Sequence, residues 1–96
     1  MPKILQDKVA IISGSGRGLG WAFALIFARE GAQLLLPDIN SELAELTAKE
    51  INDEGGVAVA IENDISDEKS VMRVAERAMQ LYGRVDILVN NAALAY

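Results

Sequence analysis

The 96-residue sequence contains no cysteine and no histidine. Without cysteine, these residues form no disulfide and no thiolate metal site. Without histidine, they hold no Ser-His-Asp triad, no imidazole acid–base pair and no imidazole metal ligand. We therefore expect no metal site in this chain.

Positive charge is also scarce. Nine lysines and arginines stand against fourteen acidic residues, so the net charge is −5 and the pI is about 4.6. An acidic domain lacks the basic surface that nucleic acid or an anionic membrane requires, so we expect neither as a partner. The uncharged stretch from Leu19 to Ala28 has only ten residues, far short of the roughly 20 of a membrane span. With no signal-peptide pattern near Lys3 and Lys8, the expected location is the cytoplasm.

The hydrophobic fraction of 51% is that of a globular chain, and the length suits one compact domain. Four short, nearly continuous apolar runs are typical of parallel strands buried on both faces. They lie at Val9–Ser13, Gln33–Leu36, Val57–Ile61 and Val85–Asn90.

Three segments with helical periodicity separate these runs. The first runs from a glycine cluster to Glu30, with one apolar face formed by Leu19, Ala22, Phe23, Ile26 and Phe27. The second spans about Ser41–Glu54, capped by Asn40 or Ser41, with apolar positions Leu43, Leu46 and Ile51. The third follows a predicted cap at Ser66 and ends at Gly83, with a stripe of Val71, Val74, Ala75, Ala78 and Leu81. The order β-α-β-α-β-α-β predicts an α/β fold with a parallel sheet.

The glycine cluster from Ser13 to Gly20 follows a strand and opens a helix, which is the context of a phosphate-binding loop. No glycine precedes a lysine, so it is not a P-loop, and leucine at position 19 breaks the G-x-G-x-x-G spacing. The pattern present is G-x-x-x-G-x-G at Gly14, Gly18 and Gly20. The glycine cluster alone is also compatible with a simpler interpretation, a tight strand–helix turn that binds no ligand.

Asp38 ends the second predicted strand, 20 residues after Gly18. In a dinucleotide-binding βαβ unit, an acidic residue at about this distance accepts hydrogen bonds from the adenosine ribose. The alternative is a turn or helix-cap role for Asp38. The loop, the strand and the acid together predict a nucleotide site.

Four ordered segments resemble the short-chain dehydrogenase/reductase family. The glycine cluster is close to the family's T-G-x-x-x-G-x-G, and Asp38 and Asp64-Ile65 follow the second and third strands. Asn90-Asn91-Ala92-Ala93 is close to N-N-A-G. The resemblance implies a Rossmann-like parallel sheet, truncated after the fourth strand, with residues 1–96 forming the N-terminal half of a dinucleotide-binding domain.

The resemblance also implies roles for particular residues. The loop backbone would hold the pyrophosphate, Asp38 the ribose, Asp64 and Ile65 the adenine, and Asn91 would border the nicotinamide side. The implied cofactor-binding residues are thus Gly14, Ser15, Gly16, Arg17, Gly18, Leu19, Asp38, Asp64, Ile65 and Asn91. The departures from the family pattern are Ser13 for threonine, Ala93 for the last glycine, and Pro37 before Asp38.

The catalytic signature of the family is missing from these residues. It uses a serine and a Tyr-x-x-x-Lys pair, but Asp86 stands four residues after Tyr82, and Tyr96 is the last residue. The resemblance implies an NAD(P)-dependent oxidoreductase acting on an alcohol or ketone in the full-length form, with no catalytic residue in this chain and no activity of the chain alone. The alternative is a non-catalytic nucleotide-binding or interaction module that ends at Tyr96. The residues leave the substrate unspecified.

Two further expectations follow. Asp38 favours NAD over NADP, because a carboxylate about 4 Å from a 2′-phosphate costs on the order of 4 kcal/mol at an effective dielectric near 20. Arg17 favours NADP, because a basic residue in the glycine loop can pair with a 2′-phosphate. We give more weight to the repulsion between Asp38 and that phosphate. The fourth strand would form an apolar sheet edge, so we expect self-association through it, which sedimentation over a wide concentration range would detect.

Overall fold

The computed structural model describes residues 3–64 and 67–91. Within them, strands and helices alternate in the predicted order. They are β1 (Val9–Ser13), α1 (Gly18–Arg29), β2 (Gln33–Asp38), α2 (Ser41–Asp53), β3 (Val57–Glu62), α3 (Glu68–Tyr82) and β4 (Ile87–Asn90). β2 continues through Pro37 to Asp38, and β4 begins at Ile87 rather than Val85.

The described strands form one parallel sheet in the order β3-β2-β1-β4. Ser13 pairs in register with Asn90, and Asp38 pairs with Glu62. The carboxyl ends of the strands therefore meet along one edge of the sheet. The predicted α/β, Rossmann-like architecture is confirmed.

Alternating side chains of β1 serve two separate cores. Ala10 and Ile12 pack with α1 and α2 on one face of the sheet. Val9 and Ile11 pack with Val74 of α3 on the other face. The expectation of strands buried on both faces holds for the central strands β1 and β2, but β3 and β4 are partly exposed. The strand order explains this, because it places β3 and β4 at the two edges of the described sheet.

The edge strand β4 exposes half of Leu88 (51%). Within the described part of the chain, β4 pairs with β1 alone. Self-association through this edge stays a prediction. None of the described helices has the length and apolarity needed to cross a bilayer.

The predicted apolar face of α1 is wrong in part. Leu19 and Ile26 are 63% and 53% exposed, whereas the residues buried against the sheet are Gly20, Ala24, Leu25 and Ala28. Nearly every residue of α1 is apolar, so periodicity alone does not select a face. The face with small side chains packs inward because it lets the helix approach the strands closely.

The buried face of α2 is also corrected. Leu46 is 64% exposed, and the buried residues are Ala44, Thr47, Ala48 and Ile51. Of the predicted apolar positions, Ile51 is confirmed as a core residue and Leu43 is half-buried. The residues of α2 that face the sheet are again mostly small.

Side chains cap the second and third helices. Asn40, one of the two predicted candidates, caps α2, because its Oδ1 accepts a hydrogen bond of 3.2 Å from the Leu43 N–H. α3 is capped by Asp67, whose Oδ1 accepts from the Ser70 N–H at 2.7 Å. The predicted cap Ser66 is therefore wrong, and Ser66 itself lies outside the described residues. α3 ends at Gly83, as predicted, with a left-handed φ of +80°.

Asp86, directly before β4, connects this strand to the start of β1 through hydrogen bonds. Its Oδ2 accepts hydrogen bonds of 2.8 Å from the Val9 N–H and from Arg84 Nε, and its Oδ1 accepts from Arg84 Nη2 at 2.7 Å. The Arg84 guanidinium and, next, the Val9 N–H lower the pKa of Asp86 below its ordinary 3.8. Because the folded state prefers the ionised form, this contribution to stability is present above the ordinary pKa. It is lost as the pH falls through the lowered value.

We expect Asp86→Asn to reduce the unfolding free energy at pH 7 and to weaken its decline in acid. Some decline should remain, because the Ser70 N–H also lowers the pKa of Asp67. The measurement is urea unfolding followed by circular dichroism from pH 7 down to about pH 2. Asp53→Asn is the control, since its ion pair with Lys49 is exposed on both sides and such pairs contribute little. An Asp86→Asn profile parallel to that of the original chain would contradict the assignment.

Candidate functional site

The loop between β1 and α1 lies at the carboxyl edge of the sheet. Gly14 and Gly18 have φ values of +64° and +62°, in the left-handed region that favours glycine. At Gly20, a Cβ atom would overlap the Gly14 carbonyl oxygen and would lie 2.6 Å from the Gly14 carbonyl carbon. The first and third glycines of the pattern thus let α1 begin directly against the backbone of the loop.

The amino end of α1 is equipped differently from those of α2 and α3. Arg17 occupies the cap position but makes no capping hydrogen bond with its side chain, and the first turn contains no acidic residue. α2 and α3 each have a capping side chain and a glutamate in the first turn. The N–H groups at the start of α1 are therefore left for an anion, which the helix dipole also favours.

The non-glycine residues of the loop, Ser15, Arg17 and Leu19, differ in solvent exposure. The side chains of Arg17 and Leu19 face solvent, and in the described part of the chain Arg17 forms no ion pair. Ser15 is completely buried. A ligand at this surface would therefore meet the backbone and the guanidinium of Arg17 rather than the hydroxyl of Ser15.

The end of β4 supports the loop from the neighbouring strand. The hydroxyl of Ser13, which stands where the family pattern has threonine, donates to Asn90 Oδ1 at 3.0 Å. Asn91 Nδ2 donates to the Gly14 carbonyl oxygen at 3.2 Å. The structure thus brings Asn91 beside Gly14 and Gly20, while Ala92 and Ala93 lie outside the described residues.

Asp38 divides its two carboxylate oxygens between two environments. Oδ1 accepts a hydrogen bond of 2.9 Å from the Asn40 N–H, which forms the turn before α2. Oδ2 has no hydrogen-bond partner within residues 3–64 and 67–91. The turn role and the ligand role suggested by the sequence are therefore compatible, because each uses a different oxygen.

The end of β3 lies next to Asp38. The Asn63 N–H donates to the Asp38 carbonyl oxygen at 3.1 Å, and the exposed Asp64 follows directly. This arrangement brings Asp64 to the side of the site where Asp38 lies. Ile65, the other predicted adenine neighbour, lies outside the described residues.

Sequence reasoning missed Thr47, which contacts the loop from α2. Thr47 is 2% exposed, and its hydroxyl donates to the Ser15 carbonyl oxygen at 2.9 Å. Next to this contact, a Cβ on Gly16 would lie only 2.5 Å from Leu43 Cβ. A single threonine in a polar helix carries no visible signal, because only the fold shows that its hydroxyl meets the loop.

Tyr82 belongs to the packing of α3 and not to this edge of the sheet. Its hydroxyl donates at 2.7 Å to the carbonyl oxygen of Leu34, near the amino end of β2. Burial raises the pKa of the Tyr82 phenol. A phenol held in this way lies away from the glycine loop.

The glycine loop lies where the chain changes direction across the sheet. From β1 the connection leads to β2 and β3 on one side, and the chain then crosses to β4 on the other side of β1. Open α/β sheets bind ligands outside the carboxyl ends of the strands at such a switch point. The fold and the loop geometry are those of the Rossmann-like class of nucleotide-binding folds.

Comparison with known proteins identifies the family. A family model described as short chain dehydrogenase matches residues 8–96, so the chain belongs to the short-chain dehydrogenase family. Sorbitol dehydrogenase of Cereibacter sphaeroides is 48% identical over 90 residues, which are 94% of this chain and 34% of that protein. The 7alpha-hydroxysteroid dehydrogenase of Escherichia coli K12 is 43% identical over 88 residues, or 92% of this chain and 34% of that protein.

A solved structure shows the same fold. It is a 7alpha-hydroxysteroid dehydrogenase complexed with NADH and 7-oxo glycochenodeoxycholic acid, with a TM-score of 0.87 and 40% identity. The match covers 93% of this chain and 35% of that one. The chain spans about a third of the length of the relatives that it matches.

Proposed function

We propose that this chain is the NAD-binding part of an oxidoreductase that transfers hydride between nicotinamide and an alcohol or ketone. Residues 1–96 would form the N-terminal half of the dinucleotide-binding domain. The observation that carries the proposal is the contact of Gly20 with Gly14 at the uncapped amino end of α1. A family member with 40% identity and the same fold, complexed with NADH, supports it.

The residues at the carboxyl edge fit such a cofactor. The backbone from Gly14 to Leu19, with Arg17, would hold the pyrophosphate, since Gly18 places no Cβ atom on the open side of the loop. Asp38 Oδ2 would accept from the adenosine ribose. Asp64 and Ile65 would flank the adenine, and Asn91 would border the nicotinamide side. When bound, the nicotinamide supplies the hydride donor or acceptor.

We propose NAD rather than NADP as the cofactor. The oxygen of Asp38 that would face the ribose carries no compensating partner in the described chain, so a 2′-phosphate would meet the carboxylate without a neighbouring cation. Arg17 is exposed on the loop and is not positioned by any ion pair within that part of the chain. The carboxylate therefore decides the preference.

No catalytic residue is proposed within these 96 residues, because they contain no Tyr-x-x-x-Lys pair. We expect the chain alone to bind the cofactor and to be inactive. The substrate, an alcohol or ketone, would be recognised by the full-length form. The comparisons offer no support for the alternative of a non-catalytic module.

Isothermal titration calorimetry of the 96-residue chain with NADH and NADPH tests the proposal. We expect one site that binds NADH more tightly than NADPH. A chain that is folded by circular dichroism but binds neither dinucleotide at millimolar concentration would overturn it. The intact mass of the protein in its source cells tests the enzymatic part. A mass well above 10.3 kDa supports the oxidoreductase, and a mass at that value supports the non-catalytic module.

A further inference from the structure

Helix α2 contacts two parts of the candidate site at once. It begins immediately after the turn that Asp38 forms with the Asn40 N–H, and Asn40 caps it. Farther along the same helix, Thr47 bonds to Ser15 in the glycine loop. The predicted ribose ligand and the predicted pyrophosphate loop are therefore both attached to one rigid element.

The hydroxyl of Thr47 connects α2 to the loop by a buried hydrogen bond. The hydroxyl has a single proton, and the Ser15 carbonyl oxygen at 2.9 Å is closer than the alternative acceptor, the Leu43 carbonyl oxygen at 3.3 Å. Ser15 is fully buried, and its own hydroxyl has no hydrogen-bond partner in the described chain. Without the Thr47 hydroxyl, the buried carbonyl oxygen of Ser15 would lose its hydrogen bond from α2.

Resting on the proposed function, we propose that Thr47 is a positioning residue for the pyrophosphate loop. By holding the Ser15 carbonyl, it sets the loop N–H groups at a defined separation from Asp38. A dinucleotide spans both parts of the site, and preformed geometry reduces the entropy that binding costs. Thr47 acts through the loop backbone and does not itself touch the ligand.

The test compares Thr47→Val with Thr47→Ser in the 96-residue chain, using ADP, NADH and adenosine as ligands. Valine keeps the shape but removes the hydroxyl, so we expect roughly tenfold weaker binding of ADP and NADH. Adenosine carries no phosphate, so its affinity should not change. Thr47→Ser keeps the hydroxyl and should restore the affinity for ADP. Thr47→Cys, with a weaker donor, should lie between them and serves if the valine variant does not fold.

Asn52→Ala is the matched control for stability. Asn52 lies near the carboxyl end of α2, away from the loop. Its side-chain amide forms two hydrogen bonds of 2.9 Å with the backbone of Ala58 in β3. Its loss should destabilise the fold without changing affinity for ADP, measured well below the unfolding temperature. The assignment is overturned if Thr47→Val binds ADP like the original chain, or if ADP and adenosine lose affinity equally. An original chain that binds neither ADP nor NADH would instead refute the proposed function, on which this inference rests.

Discussion

Replacing Gly20 by alanine is expected to abolish NADH binding and to destabilise the fold by about 3 kcal/mol or more. The new Cβ would overlap the Gly14 carbonyl oxygen and would lie 2.9 Å from Asn91 Nδ2. The overlapping oxygen of Gly14 is a backbone atom, so no side-chain rotation relieves the overlap. Helix α1 must therefore move away from the loop. Urea unfolding and calorimetric titration with NADH measure the two effects.

Two other glycines separate this overlap from backbone strain. Gly55 and Gly18 have φ values of +91° and +62°, and a Cβ at either would have no atom within 4 Å. Alanine at either position should cost about 1–2 kcal/mol for the left-handed conformation. Gly55 lies outside the site, so Gly55→Ala should keep normal NADH affinity, while Gly18→Ala should weaken binding. If Gly20→Ala matches Gly55→Ala in both stability and affinity, the proposed contact between α1 and the loop is wrong.

Asp38→Asn is expected to narrow the preference for NAD over NADP by at least tenfold. The carboxylate–phosphate repulsion is on the order of 4 kcal/mol at 4 Å and an effective dielectric near 20, and tenfold corresponds to about 1.4 kcal/mol. Asparagine retains an Oδ1 acceptor for the Asn40 N–H, so the turn before α2 should survive. Paired titrations with NADH and NADPH give the ratio, and added salt should reduce the difference by screening.

Comparison variants identify the cause of that change. Asp38→Ala removes both the charge and the turn hydrogen bond, so it should reproduce the altered ratio with an additional loss of stability. Glu42→Gln removes an exposed negative charge from the first turn of α2 and should leave the ratio nearly unchanged. An unaltered NADH/NADPH ratio in Asp38→Asn would show that Asp38 is not the ribose ligand.

Much of the architecture could be predicted because its signals are local. The apolar runs of β1 and β2 are uninterrupted, since both strands are buried on two faces. The spacing of Gly14, Gly18 and Gly20 reflects two local constraints: left-handed φ values at Gly14 and Gly18, which disfavour side chains, and the close backbone contact at Gly20. These features can be recognised in the sequence because a local steric or hydrophobic requirement selects the residue type at each position.

The faces of α1 and α2 and the cap of α3 could not be predicted with the same success, whereas the predicted stripe of α3 is buried at Val74 and Ala78. α1 is apolar on several sides, so the choice of Ala24 and Ala28 over Leu19 depends on how closely the helix approaches the sheet. Ser66 and Asp67 are both good capping residues, and the start of the helix decides between them. Such choices depend on small differences in geometry rather than on residue type.

By itself, the sequence determined the order of strands and helices, the glycine loop and the acid at the end of β2. Only the tertiary structure decided that Asn91 meets Gly14 and that Thr47 holds Ser15. The physical reason is the range of the interactions. Hydrophobic periodicity and glycine conformations act within a few residues, whereas these hydrogen bonds to the loop join segments 77 and 32 residues apart. Such contacts arise only when the parallel sheet aligns the carboxyl ends of its strands.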